Sequence, residues 1–158
     1  MINSRSPVSC YAAVFTEQRR TILKVLALSC AMAVMPVHAE APVKVVYHLS
    51  DGIEQATRAL ANVRNHLRAA PDTNIVVVAL GDGIQFLLKE AIDRKGTPFA
   101  PAVDALVQQG VEFRICMNTL AAHEVPLARV ITAAKPVPSG VAEIARLQAR
   151  EGFVYFRP

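Results

Sequence analysis

Aromatic and charged residues are scarce in this sequence, and their scarcity excludes several classes of protein. The 158 residues include no tryptophan, three tyrosines and six phenylalanines, so a core has to be built mainly from Val, Leu, Ile and Ala. Because 53% of the residues are hydrophobic and only 19% are charged, the bulk of the chain is not intrinsically disordered. The length predicts one packed domain with a short additional segment.

A basic surface suited to nucleic acid is also missing. The net charge of +4 comes mostly from residues 1–39, which hold four basic residues and one acidic residue. The remainder of the chain holds thirteen basic and twelve acidic residues, without a basic stripe that includes aromatic side chains. We therefore expect no nucleic-acid partner.

Several catalytic and metal-binding motifs are absent after residue 39. No GxSxG, HExxH or CxxC motif occurs there, which argues against serine hydrolases, zincins and dithiol oxidoreductases. No two His or Cys residues have the spacing of zinc ligands, so we expect no metal site and no bound cofactor. The turn Gly81-Asp82-Gly83 could bind an anion through its backbone amides. It lacks a Walker lysine and the full GxGxxG pattern, so a tight strand-to-helix turn is the simpler interpretation.

Residues 1–39 have the pattern of an export signal. The adjacent Arg19 and Arg20 precede an apolar run at residues 25–35, and Val37 and Ala39 suit the −3 and −1 positions of a cleavage site. Eleven residues span about 16 Å as a helix, roughly half of a bilayer core, so we expect no permanent membrane anchor. The two arginines resemble a twin-arginine signal, and an ordinary Sec signal fits equally well. Cleavage near Ala39 would leave residues 40–158 as a periplasmic or otherwise exported domain.

The cysteine count changes once that segment is set aside. Cys10 and Cys30 lie within it, so Cys116 is the only cysteine of residues 40–158. A single thiol cannot form an intramolecular disulfide. In an oxidising compartment such a thiol is buried and inert, joined to another chain, or kept for chemistry.

Strand-like and helix-like patterns alternate along the rest of the chain. Segments with strand composition are residues 43–48, 75–80, 111–116, 135–138 and 153–156. Helical patterns follow at about residues 51–70, 82–91, 101–109, 119–131 and 139–151. Asp51 with Glu54, and Asp82 with Gln85, form potential capping boxes for the first two helices. The alternation predicts an α/β domain in which a parallel sheet of about five strands has helices on both faces.

In such a sheet, ligands bind beyond the carboxyl ends of the strands, and Cys116 ends the third predicted strand. Side-chain alternation places Cys116 on the face of Glu112 and Arg114. A predicted helix follows it, and the free N–H groups of a helix start favour a thiolate over a thiol. A small apolar residue that closes a strand is an equally good interpretation, since cysteine is often fully buried.

Four polar residues are candidates to assist Cys116. His48 ends the first strand and His123 lies shortly after Cys116, and either could stabilise a thiolate or carry a proton. A histidine at a strand end is more often a hydrogen-bonded structural residue. Asn118 and Thr119, with the backbone amides of the following helix, could stabilise an anion at Cys116.

The order of five segments resembles the DsrE/DsrF family, small proteins of a sulfur-relay superfamily. The segments are VVYHLSD (45–51), ANVRNHL (61–67), IVVVALGDGI (75–84), VEFRICMNTL (111–120) and SGVAEIARLQ (139–148), and they span about residues 43–158. The resemblance implies a flavodoxin-like three-layer fold, usually assembled as a trimer or hexamer. In sulfur-relay members, a cysteine after the corresponding strand carries sulfur as a persulfide, and Cys116 matches that position.

These observations leave competing hypotheses for function. In the first, the protein is an exported sulfurtransferase or sulfur carrier that holds sulfane sulfur on Cys116, with a sulfur donor or acceptor protein as partner. In the second, it is a non-catalytic module of the same fold that binds a small ligand or assembles, and Cys116 only packs. A redox sensor that forms a Cys116–Cys116 bridge between chains is a third alternative.

Overall fold

A five-stranded parallel sheet forms the centre of the domain. The computed structural model describes residues 41–158, so the predicted export signal at residues 1–39 lies outside the described residues. The strands are β1 (Lys44–Leu49), β2 (Asn74–Ala79), β3 (Glu112–Cys116), β4 (Ala134–Val137) and β5 (Val154–Phe156). Their order is β4-β3-β2-β1-β5, and each adjacent pair is parallel.

The helices cover both faces of this sheet. They are α1 (Gly52–Ala69), α2 (Ala100–Val107), α3 (Met117–Ala122) and α4 (Gly140–Glu151), with 3-10 helices at Gly81–Leu87 and Leu127–Arg129. Side chains from α1, α2 and α3 share one apolar cluster with one face of the sheet, whereas Ile144 and Leu147 of α4 pack on Val46, Val76 and Val78 of the other face. Within residues 41–158, no helix is both long and apolar enough to span a bilayer. The predicted three-layer α/β fold is confirmed.

The apolar pattern explains why β2 lies at the centre of the sheet. Residues 75–79 are Ile, Val, Val, Val and Ala, and each exposes at most 1% of its surface. A strand buried on both faces needs apolar side chains at every position, whereas β3 has polar side chains on one face. The edge strands β4 and β5 are short, and β4 contains Pro136, whose missing N–H suits an edge strand.

Two predicted helices differ from the structure. The segment after β2 is a 3-10 helix, and Asp82 caps nothing with its side chain. Gly83 lies so close to the end of β1 that an added Cβ would sit 2.3 Å from the Leu49 carbonyl oxygen, which explains the tight winding there. The helix expected over residues 119–131 ends at Ala122, because Glu124 takes a φ of 53° and Pro126 follows.

The capping box expected at Asp51 is also absent. The Asp51 carboxylate accepts hydrogen bonds from Ser50 and Arg157 instead of capping α1. The buried Gln55 takes over the role of the cap, since its Oε1 accepts from the backbone N–H groups of Ser50 at 2.7 Å and Asp51 at 2.9 Å. Helix α4 has the expected ends, with the Ser139 side chain accepting from the Ala142 N–H and Gly152 in the left-handed region.

Candidate functional site

The topology forms a switch point at the carboxyl ends of β3 and β4. After β3 the chain turns into α3, whose Leu120 packs on the α1 side of the sheet. After β4 the chain turns into α4, which covers the opposite face. Adjacent strands whose connections leave on opposite faces form the switch point at which α/β sheets bind ligands. Cys116 and Val137 are register partners at this point.

Cys116 lies at this switch point and is largely covered. It is the residue that precedes α3, with φ −75° and ψ 117°, and 5% of its surface is exposed. Its side chain is on the α4 face of the sheet, as the alternation predicts. The first residue of α4, Gly140, leaves room for it, because a Cβ on Gly140 would lie 3.2 Å from the Cys116 Cβ and 2.9 Å from a Leu80 methyl group. Glycine therefore lets the start of α4 approach the sulfur.

Polar groups around the sulfur favour its ionised form. Burial alone raises the pKa of the Cys116 thiol, but hydrogen bonding from the Thr119 hydroxyl and from the backbone N–H groups of Gly140, Thr119 and Asn118 outweighs it. The net effect holds the pKa of Cys116 below its usual value. The starts of α3 and α4 therefore both lie close to the sulfur, and the Asn118 N–H also donates to the Pro138 carbonyl oxygen at 3.3 Å.

A backbone N–H just after β2 orients the Thr119 side chain. Its Oγ1 accepts a hydrogen bond of 3.1 Å from the backbone N–H of Gly81, which follows β2. Because that oxygen is already an acceptor, its own hydrogen is free to point at the sulfur. Gly81 after β2, Cys116 at β3 and Gly140 after β4 are therefore linked into one arrangement.

The Gly81-Asp82-Gly83 turn uses its amides within the protein. The Gly81 N–H donates to Thr119, and the Gly83 N–H donates to the Leu80 carbonyl oxygen at 3.0 Å. The exposed Asp82 carboxylate would also repel an anion at this position. These contacts favour the structural interpretation of the turn over the anion-binding one.

His48 forms a separate pair on the same face of the sheet. Its Nδ1 lies 2.7 Å from the Tyr155 hydroxyl, and its buried Nε2 has no hydrogen-bond partner within residues 41–158. Burial and the nearby Arg157 charge lower the pKa of His48, against an opposing effect of Asp51, so the ring is neutral at pH 7. Strand β2 separates β1 from β3, which puts His48 about 10 Å from β3 at the backbone.

The other candidate residues also differ in whether they lie close to the Cys116 sulfur. Thr119 and the Asn118 backbone lie at the sulfur, while the Asn118 side chain is exposed. His123 is exposed just after the last residue of α3, about 10 Å along the axis from Cys116. The structure therefore brings Thr119 and Asn118 to Cys116 and leaves His48 and His123 away from it.

A partly buried ion network fastens α4 beside the site, and sequence reasoning missed it. Arg114, on the same face of β3 as Cys116, pairs with Glu143 of α4 and with Glu112, and their side chains are 14%, 12% and 38% exposed. A hydrogen bond from Arg146 lowers the pKa of Glu143, burial raises it, and Arg114 lowers it further, so the net pKa is low. The polar side chains at alternate positions of β3 were the sequence feature that could have predicted this network. No comparable feature predicted the role of Gly140, because Cys116, which it approaches, lies 24 positions away in sequence.

No group of three or more His, Cys, Asp or Glu side chains within residues 41–158 is arranged to hold a metal ion.

Three comparisons relate this arrangement to known proteins. The model of the DsrE/DsrF-like family matches residues 44–156. The solved structure of MTH1491 from Methanobacterium thermoautotrophicum, a protein of unknown function, is 32% identical with a TM-score of 0.65, over 73% of this chain and 99% of that one. The ychN protein from E. coli is 12% identical with a TM-score of 0.56, over 73% and 98% of the two chains, and shares the fold. No curated protein matches significantly.

Proposed function

This chain belongs to the DsrE/DsrF-like family, and from that premise we propose that Cys116 carries sulfane sulfur as a persulfide and passes it to an acceptor. The family is associated with sulfur relay in general. The observation that carries the proposal is the set of hydrogen-bond donors around Cys116, which lowers the pKa of a thiol that burial alone would keep protonated. A packing cysteine has no need of such donors.

The proposed reaction has two displacement steps. The Cys116 thiol loses its proton to solvent, and the thiolate attacks the outer sulfur of thiosulfate or a polysulfide. A sulfur–sulfur bond forms on Cys116 while the bond in the donor breaks, and sulfite or the shortened polysulfide leaves with the electron pair. An acceptor thiolate or sulfite then attacks the outer persulfide sulfur, and the Cys116 thiolate is released. Both steps balance without an added oxidant or reductant.

The arrangement suits both states of the cysteine. The N–H groups at the starts of α3 and α4 and the Thr119 hydroxyl stabilise the thiolate before loading and after release. A persulfide places its reactive sulfur about 2 Å beyond Sγ. The atom that an acceptor attacks would therefore lie about 2 Å from Sγ, on a residue that is only 5% exposed.

Mass spectrometry of the intact chain tests the proposal. Cys10 and Cys30 are replaced by serine so that Cys116 is the only thiol, and the protein is treated with thiosulfate or polysulfide. We expect the mass of one or more sulfur atoms to be added, to be lost on addition of a thiol acceptor, and to be absent from the Cys116→Ser variant. Unaltered mass, or equal addition to Cys116→Ser, would refute persulfide formation.

The low exposure of Cys116 favours a second candidate function, a non-catalytic module in which the thiol packs. Alkylation of the native protein separates the two. A packing thiol reacts with iodoacetamide only after unfolding, whereas a stabilised thiolate reacts in the native protein and at a lower pH than an ordinary thiol does. The same cover disfavours a disulfide between two Cys116 residues, because their Cβ atoms would have to approach to about 4 Å.

We also propose that the chain is exported and assembles into a trimer or hexamer. Support for export is the pattern of residues 1–39, and support for assembly is edge strand β5, whose Val154, Tyr155 and Phe156 are exposed. Intact mass of the periplasmic protein should show an N-terminus at about Glu40. Replacement of Arg19 and Arg20 by lysine should block export if the pathway is twin-arginine and leave it unchanged if it is Sec. Light scattering measures the assembly, and a monomer at all concentrations would refute it.

A further inference from the structure

A groove on the α1 side of the domain lies apart from Cys116. Two adjoining cavities of about 280 and 170 Å³ run between α1 and the segment that leads into α2. Both are bordered by Thr57 and Asp93, so they form one continuous groove. Their combined size falls within the range of small-molecule sites.

The floor of this groove is apolar. Leu60 of α1 and Phe99 at the start of α2 form part of it, and they expose only 3% and 4% of their surfaces. Pro98 and Ala102 continue the floor. Because Leu60 and Phe99 are already almost covered, the apolar body of a ligand would mainly contact the more accessible Pro98 and Ala102.

The rim of the groove carries unbalanced positive charge. Four basic side chains (Arg58, Arg64, Arg94 and Lys95) and two acidic ones (Glu54 and Asp93) border the groove, which leaves a net charge of +2. Glu54 pairs with Arg94, and Asp93 accepts hydrogen bonds of 2.8 Å from the backbone N–H groups of Lys95 and Thr97, which orient its carboxylate without cancelling its charge. Arg58 borders one cavity and Arg64 the other, and neither forms an ion pair within residues 41–158. Arginine is well suited to binding a carboxylate or sulfonate through two parallel hydrogen bonds.

From these features we infer that the groove binds a small organic anion, with the apolar body over Pro98 and Ala102 and the acidic group at Arg58 or Arg64. Charge complementarity selects this class of ligand, because an uncharged apolar molecule would leave both guanidinium groups unused. The site does not depend on Cys116, so this inference and the persulfide proposal can fail independently.

The probe 8-anilinonaphthalene-1-sulfonate, an aromatic sulfonate, tests the inference by fluorescence titration at low salt. We expect saturable binding that Arg58→Gln or Arg64→Gln weakens by at least about fivefold, since each loses a charge-assisted contact. Arg150→Gln is the matched control, because Arg150 is an exposed arginine of α4 on the opposite face. Ala102→Phe should also weaken binding by filling the floor.

The uncharged analogue N-phenyl-1-naphthylamine shows whether charge matters. It should bind more weakly than the sulfonate and be insensitive to the two arginine variants. Absence of saturable binding, or equal effects of Arg58→Gln, Arg64→Gln and Arg150→Gln, would overturn the inference. Urea unfolding of each variant distinguishes loss of binding from loss of structure.

Discussion

Removal of the Thr119 hydroxyl is the sharpest test of the site around Cys116. Thr119→Val keeps the shape of the side chain but loses the group that donates to the sulfur and accepts from Gly81. Burial, which raises the pKa of Cys116, stays in place. The pKa of the thiol should therefore rise, and the thiolate should be less populated at pH 7.

The expected size follows from the energy of one hydrogen bond. A hydrogen bond to a charged group contributes about 1.5–3 kcal/mol, and each 1.4 kcal/mol changes the thiolate population about tenfold. A thiol of higher pKa gives a more nucleophilic thiolate, so the intrinsic rate of alkylation rises about threefold for each tenfold fall in the thiolate population and offsets part of that fall. The rate of native Cys116 alkylation at pH 7 should fall by about threefold or more.

Thr119→Ser is the matched control, because it keeps the hydroxyl. Iodoacetamide labelling is followed by mass from pH 5 to 9 in the Cys10→Ser, Cys30→Ser background. The midpoint of the profile should move to higher pH for Thr119→Val and stay near the parent for Thr119→Ser. Thr119→Val should also lose about 1 kcal/mol in urea unfolding, since it leaves the Gly81 N–H without its acceptor. Identical pH profiles for the two variants would refute the assigned role of Thr119.

Three further predictions concern the surroundings of the site. Gly140→Ala should slow the labelling of Cys116 in the native protein and lower the unfolding free energy by about 1–3 kcal/mol, because the added Cβ forces α4 away from the sulfur. A Gly152→Ala variant that alters labelling equally would contradict this. Glu143→Gln should lower the unfolding free energy by about 1–3 kcal/mol at pH 7, and this effect should shrink as the pH falls below the ordinary carboxyl pKa and through the lower pKa of the folded state; an unchanged urea midpoint at pH 7 would count against the network. The pKa of His48 is lower in the folded state, so its contribution to stability is complete above about pH 6.5 and is lost as pH falls. His48→Gln should therefore flatten the urea midpoint between about pH 5 and 7, and an unaltered pH dependence would contradict this.

Part of the candidate site could be predicted from the sequence, because it depends on residues that are close together along the chain. The alternation in β3 placed Cys116 on the face of Arg114, and the polar residues after it indicated a helix start. The two candidate histidines lie elsewhere, since His123 is exposed after α3 and His48 pairs with Tyr155, as expected of a structural histidine at a strand end. Whether two strand ends meet depends on the strand order, and His48 is separated from Cys116 by β2.

The capping errors have a similar cause. Local sequence favours Asp51 and Asp82 as caps, but only Asp51 precedes a helix, since Asp82 lies within the 3-10 helix Gly81–Leu87. The Arg157 side chain, 106 positions away, takes the Asp51 carboxylate, and close packing on the Leu49 backbone tightens the segment after Asp82 into a 3-10 helix. Long-range contacts outweighed a local preference of about 1 kcal/mol in both places.

Hydrophobic periodicity along the chain was sufficient to determine the parallel α/β architecture and the position of Cys116 at a strand end. These properties depend on residues a few positions apart, whose burial follows from helix and strand geometry. Only the tertiary structure decided that α3 and α4 leave the sheet on opposite faces, and so that Gly81, Thr119 and Gly140 meet at Cys116. That outcome depends on how whole helices cover the two faces of the sheet, which no local segment of the sequence encodes.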